Sequence, residues 1–162
     1  MYIEKWWGEF FGGTDDSLTL MDYFEEDATT EYSLANIFSD FNLNIQKSFD
    51  SFRSAEEIYY FTKCEKRIDI YYAINFLLDI GVIILESLHS GNVSLKNLNS
   101  NSSDKNIVIT ADVNTLNYLI SILADFSENP LAYDLAEMCD ENDMLEISRQ
   151  CKEVIIELKR FV

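Results

Sequence analysis

Positive charge is what this chain has least of, and the shortage is uneven. Twelve lysines and arginines stand against 29 aspartates and glutamates in 162 residues, a formal charge of −17 at pH 7. From Met1 to Gln46 ten acids face a single base, Lys5, and from Asn106 to Ser148 nine acids face none. The middle, residues 47–106, is nearly neutral, with eight acids and seven bases. Blocked charge of one sign steers encounters with an opposite-sign partner and repels phosphate backbones and anionic lipid. Direct contact with nucleic acid or a membrane surface is therefore disfavoured, and docking onto something basic is favoured.

Other shortages narrow the chemistry. One proline and five glycines leave few breakers, which argues for long regular elements, mostly helices. His89 is the only histidine, so a nucleophile with a histidine base has a single candidate, placed at an expected helix end where a capping role is commoner. Three cysteines at wide spacings, Cys64, Cys139 and Cys151, fit reduced thiols in a cytoplasm and supply no zinc ligand set. Gly12-Gly13 lacks the lysine and spacing of a phosphate loop. The N-terminus has no basic region followed by an apolar stretch, so no signal peptide is expected. The longest apolar stretch, Ile68 to Leu88, contains Asp69, Asn75, Asp79 and Glu86. Ionisable groups at mid-membrane cost roughly 2.5–3.5 kcal/mol each, so this stretch reads as a core helix.

What is present is an apolar fraction of 48% and an aromatic fraction of 14%, too high for disorder. A chain of this length is expected to form one domain, residues 1–162. Residues 2–11 alternate weakly and predict a short strand or extended segment ending at Gly12-Gly13. Thr14 to Ser17 offer a row of N-cap side chains, so a helix is expected over about 16–26. Its acidic end at Glu25, Glu26 and Asp27 opposes the helix dipole. A second helix over 31–41 would bury Leu34, Ile37, Phe38 and Phe41, whereas 44–63 shows no dominant period.

The centrepiece is Arg67 to His89, apolar on most of its circumference, with Tyr72, Asn75, Asp79 and Glu86 along one narrow stripe. Such a helix is normally buried among others, and Ser90-Gly91 supplies its stop. Residues 90–106 read as a polar, mobile loop. A strand is expected at Ile107–Thr110, a helix capped by Asp112, a helix start at Asn129-Pro130, and a final helix opened by a capping-box-like Asp143 to Glu146. That last helix would bury Met144, Ile147, Cys151, Val154, Ile155, Leu158 and Phe161. The expected fold is mainly α, a helical bundle around a buried central helix with at most a small N-terminal or mid-chain β element.

Acid clusters are the remaining candidates for chemistry. Asp15-Asp16 and Glu25-Glu26-Asp27 lack the alternating order and central glycine of a calcium loop. Solvated caps or helix faces are the commonest use of such clusters, partner contact comes second, and metal binding or catalysis third. Asp140, Glu141 and Asp143 divide in the same way. Trp6 and Trp7 read as core anchors. Asp79, inside an apolar helix, must be paired, with Arg53, Lys63, Lys66 or Arg67 the expected partner. No catalytic residue, metal ligand or cofactor is assigned.

The segments Trp6-Trp7-Gly8-Glu9-Phe10-Phe11-Gly12-Gly13-Thr14-Asp15-Asp16-Ser17 and Tyr72-Ala73-Ile74-Asn75-Phe76-Leu77-Leu78-Asp79 resemble immunity proteins of bacterial polymorphic-toxin and contact-dependent growth inhibition systems. The two pieces cover about a quarter of the chain, and neither is a catalytic signature. The resemblance implies a cytoplasmic, non-enzymatic protein that binds the C-terminal domain of one cognate toxin, commonly a nuclease, and blocks it; self-repulsion of the net charge argues for a monomer when free.

The charge pattern agrees independently, because a nuclease that holds phosphate tends to be basic. Tight inhibition also needs buried anchors, sought among aromatics beside acids: Tyr23, Phe24, Tyr32 and Tyr133. The N-terminal block interleaves acids and aromatics, and its expected toxin-binding residues are Asp15, Asp16, Asp22, Tyr23, Glu25, Glu26, Asp27, Glu31 and Tyr32. The alternatives are an acidic nucleic-acid mimic or regulatory adaptor, and, further off, a carboxylate-based enzyme or metal-binding protein.

Overall fold

The computed structural model describes residues 1–43, 45–54 and 57–162. Asn44, Ala55 and Glu56, in the ambiguous stretch 44–63, lie outside the described residues. The fold is mainly α. Its longer helices are α1 (Asp15–Glu25), α2 (Leu34–Asp40), α3 (Ala73–Ser90), α5 (Val113–Glu128) and α6 (Glu141–Leu158), and α4 (Leu95–Leu98) is a single turn. Strand β1 (Glu31–Ser33) pairs in parallel with β5 (Asn106–Thr110), and β5 pairs antiparallel with β4 (Val93–Ser94). A separate hairpin joins β2 (Tyr59–Phe61) to β3 (Arg67–Asp69).

The central helix is α3, buried along almost its whole length from Ala73 to Ser87. By length and composition it passes for a membrane span, yet 83% of it is buried inside the protein. Gly91 ends it at φ 82°, a left-handed conformation that glycine adopts without a Cβ penalty. Helices α5 and α6 pack on it and on each other, joined by Leu116, Leu119, Leu123, Met144, Cys151 and Val154, all buried. Asp112 caps α5 by accepting from the Thr115 amide at 2.9 Å.

The polar stripe on α3 has a specific use. Asn75, Asp79 and Glu86 fall within roughly 40° of one another at about 100° per residue, and all three are buried. Glu86 accepts from the Ile3 amide at 3.0 Å, and Asp79 accepts from the Gly12 amide at 2.8 Å and from the Ser17 hydroxyl. Asn75 donates to Asp16 at 3.2 Å. The stripe is thus a seam that fixes the first seventeen residues. The expected cationic partners of Asp79 are elsewhere: Arg53 grips Asp125, Lys63 pairs with Asp27, Arg67 pairs with Asp69, and Lys66 is exposed in the turn between β2 and β3. Backbone amides and a hydroxyl satisfy a buried carboxylate without bringing a second charge out of water.

Several expectations are corrected. Residues 2–11 form a 3-10 turn, Tyr2–Lys5, followed by a tight loop, because the backbone must reach down to Glu86 and Asp79 rather than pair as a strand. The helix expected from residue 31 starts at Leu34, since residues 31–33 pair with β5. The stretch 90–106 is not an unstructured polar loop. Val93 and Leu95 are fully buried there, and β4 and α4 form around them. Asn129-Pro130 opens only a 3-10 turn. The cap of α6 is Asp140, which accepts from the Asp143 amide, and Phe161 is exposed.

Candidate functional site

The site begins with how α1 is held. Thr14 is its N-cap: its hydroxyl accepts from the Ser17 amide, and the Ser17 hydroxyl oxygen in turn accepts from the Thr14 amide. With Thr14 as cap, Asp16 turns inward and is 2% exposed. Its carboxylate accepts from the Tyr71 amide at 2.7 Å and the Tyr72 amide at 3.0 Å, closing the open N-terminus of α3 from another helix. Burial pushes the Asp16 carboxyl above the usual range, and those amides pull it back.

The two sequence segments that carry the resemblance are therefore one bonded unit, Asp16 to Tyr72 and Asn75, and Asp79 to Gly12 and Ser17. Gly12 sits at φ 81°, where a Cβ would lie 2.2 Å from the Trp7 ring. Trp6 and Trp7 anchor the unit, donating to Glu153 at 3.0 Å and to the Leu98 carbonyl at 2.8 Å. Burial also raises Asp79 to about 7, against the pull of Ser17 and Gly12.

The outer side of α1 is different. Asp15, Leu18, Asp22 and Glu26 are exposed and lie on one stripe of the helix. At its C-terminal end opens a cleft of about 450 Å³ between α1, β1, α2 and the β2–β3 hairpin. Tyr23, Tyr32, Tyr60 and Phe61 form its aromatic part, and Glu26, Asp27, Glu31 and Asp40 its acidic part, with Lys63 as the one base among the lining residues. Tyr23 is nearly buried and donates to Asp40 at 2.7 Å; burial and that bond raise its phenol pKa. Tyr32 donates to the Thr29 carbonyl at 3.1 Å and is raised to about 12 by burial and by nearby Asp27, Asp40 and Glu25. Phe61 is 61% exposed at the rim.

Both ends of the acid block are managed locally. Asp27 is lowered to about 2 by its hydrogen bonds from Thr29 and by Lys63, whose ammonium lies 3.1 Å away. Glu25 accepts from the Ser103 amide at 2.8 Å, and Glu26 from the Lys63 amide at 2.7 Å. Lys105 donates to the Phe24 and Asp27 carbonyls, supplying the cation that the acidic C-terminus of α1 lacks in sequence.

Of the nine residues expected at the docking face, Tyr23, Glu26, Asp27, Glu31 and Tyr32 converge on this cleft. Asp22 lies on the exposed stripe of α1 beside it, and Glu25 is tied to Ser103. Asp15 stands at the far end of the helix, and Asp16 faces the interior. Phe24 and Tyr133, expected as exposed anchors, are buried; Tyr133 donates to Asp125 at 2.8 Å. Asp40, on the outer side of the expected second helix, and Tyr60, Phe61 and Lys63, from the stretch with no dominant period, are additions. Among the described residues no group of three or more His, Cys, Asp or Glu side chains is disposed to hold a metal ion.

With this geometry established, the family follows. A family model described as Immunity protein 68 matches residues 2–158, and the chain belongs to that family. No curated protein and no solved structure matches it.

Proposed function

We propose that this immunity protein neutralises a cognate toxin by binding its basic C-terminal domain, a nuclease, in a stoichiometric complex in the cytoplasm, without catalysis and without a cofactor. The observation that carries the proposal is the cleft at the C-terminal end of α1. Aromatic surface from Tyr32 and Phe61, backed by the buried rings of Tyr23 and Tyr60, lies beside four carboxylates opposed by one lysine. An acidic rim raises the encounter rate with a basic partner, and desolvated aromatics hold it once it arrives. Family membership supports the toxin as the partner class, and the excess of acid supports a partner that itself holds phosphate.

The decisive experiment co-expresses the chain with the toxin domain encoded beside it and scores growth, nuclease activity in vitro and complex stoichiometry by light scattering. Protection with a 1:1 complex whose association slows as salt rises is the expected result. A chain that fails to protect, or that binds several unrelated nucleic-acid-binding proteins equally well, contradicts the reading and favours a nucleic-acid mimic.

A further inference from the structure

A second pocket, of about 500 Å³, opens at the other end of α1. Asp15 and Asp16 from α1, Tyr71 and Tyr72 before α3, and Glu137 and Met138 before α6 are among its lining residues. Tyr71 and Met138 are each 70% exposed, more than any other large hydrophobic side chain among the described residues. Scattered exposed side chains are ordinary, but these two converge on one concavity. Among the described lining residues there is no lysine, arginine or histidine, so its carboxylates lack the internal cation that Lys63 provides in the first cleft.

The exposed stripe of α1 reaches both concavities, with Asp15 lining the second and Glu26 the first. Asp15, Leu18, Asp22 and Glu26 run between them on the exposed stripe of α1, which spans roughly 16 Å at 1.5 Å per residue. A protein interface of ordinary size, about 800 Å² on each partner, covers both ends.

We propose that the toxin-binding surface extends from the first cleft along α1 to the Tyr71–Met138 pocket, which takes a basic side chain of the partner. This rests on the reading of the partner as a basic toxin domain. The cation lies between Asp15 and Glu137, and its aliphatic stem packs on the Tyr71 ring and the Met138 thioether. Tyrosine offers a rigid face for an arginine, methionine adapts to its outline, and together they exclude water from the charge pair.

The test measures binding of the full chain to the toxin domain encoded beside it, by biolayer interferometry, for Tyr71→Ala, Met138→Ala and Phe61→Ala. Because both pocket side chains are exposed, thermal melts of the first two variants should match the wild type. Roughly tenfold or greater weakening by Tyr71→Ala, mostly as faster dissociation, is expected, with a smaller loss for Met138→Ala. If Phe61→Ala weakens binding while both pocket variants stay within twofold of wild type, the extension is wrong and the first cleft acts alone. If the wild-type chain does not bind the toxin domain at all, the toxin reading itself fails, and this proposal fails with it.

Discussion

Helices α1 and α6 both carry many acids, and they dispose of them in opposite ways. On α6, Arg149 bridges Glu146 and Glu153, Arg160 takes Glu157, and Trp6 and Tyr2 donate to Glu153 and Glu157. Most of that charge is answered within the chain. On α1 the acids divide by face. Asp16 points inward to bond two backbone amides, whereas among the described residues Asp15 and Asp22 enter no ion pair. Acid content alone therefore does not distinguish the two helices; what sets α1 apart is exposed acid beside aromatic concavities. On that ground α1 and its two flanking concavities are the face proposed for a basic partner, and α6 is the outer wall of the core.

The sharpest division is within α1, between Asp16 and Asp15. Asp16→Ala strands the amides of Tyr71 and Tyr72 at the start of the central helix and is expected to cost about 3 kcal/mol in urea unfolding, while Asp15→Ala stays within about 0.5 kcal/mol. Equal costs would break the comparison. Gly12→Ala probes the same unit from the loop side. A Cβ there meets the Trp7 ring at 2.2 Å, on a backbone at φ 81°, so a loss of about 2 kcal/mol is expected, with altered tryptophan fluorescence.

A smaller effect is expected from pH. The folded pKa of Asp79, raised to about 7, lies above the unfolded value near 4. The native state therefore keeps a proton that the unfolded chain has lost, and this group's contribution to stability falls as pH rises from about 4 to about 7. In Asp79→Asn the slope from this group disappears. Relative to wild type the variant should gain stability between pH 5 and 7.5 in urea midpoints. A difference constant across that range would show that Asp79 does not titrate there.

How much of this was legible in the sequence depends on which kind of partner a residue has. The buried central helix and the core of α6 follow from spacing alone, because helical period reports burial directly, and the cap at Asp112 follows from its residue type just ahead of that period. The stripe of Asn75, Asp79 and Glu86 was visible in the same way, but its partners were not. Charge matching pointed to lysines and arginines, whereas the structure uses the amides of Ile3 and Gly12, which no side-chain pattern announces.

The interleaving of acids and aromatics over residues 22–32 located half of the first cleft. The other half comes from Asp40 at the end of α2, and from Tyr60, Phe61 and Lys63, brought in by a hairpin of two three-residue strands too short for a period to show. Asp16 was legible as a helix-start acid but not as an inward one, because four adjacent residues could each have served as the cap.

The central claim is that the exposed acids of α1, by their place between the two concavities rather than by net charge, guide the partner. Stopped-flow association with the toxin domain at low and high salt would compare Asp15→Lys/Asp22→Lys/Glu26→Lys with Glu141→Lys/Asp143→Lys/Glu146→Lys. Both variants change the net charge equally. The account predicts that the α1 variant associates about tenfold or more slowly at low salt, with the difference shrinking at high salt, while the α6 variant stays within about threefold of wild type. Equal slowing by the two variants would contradict it.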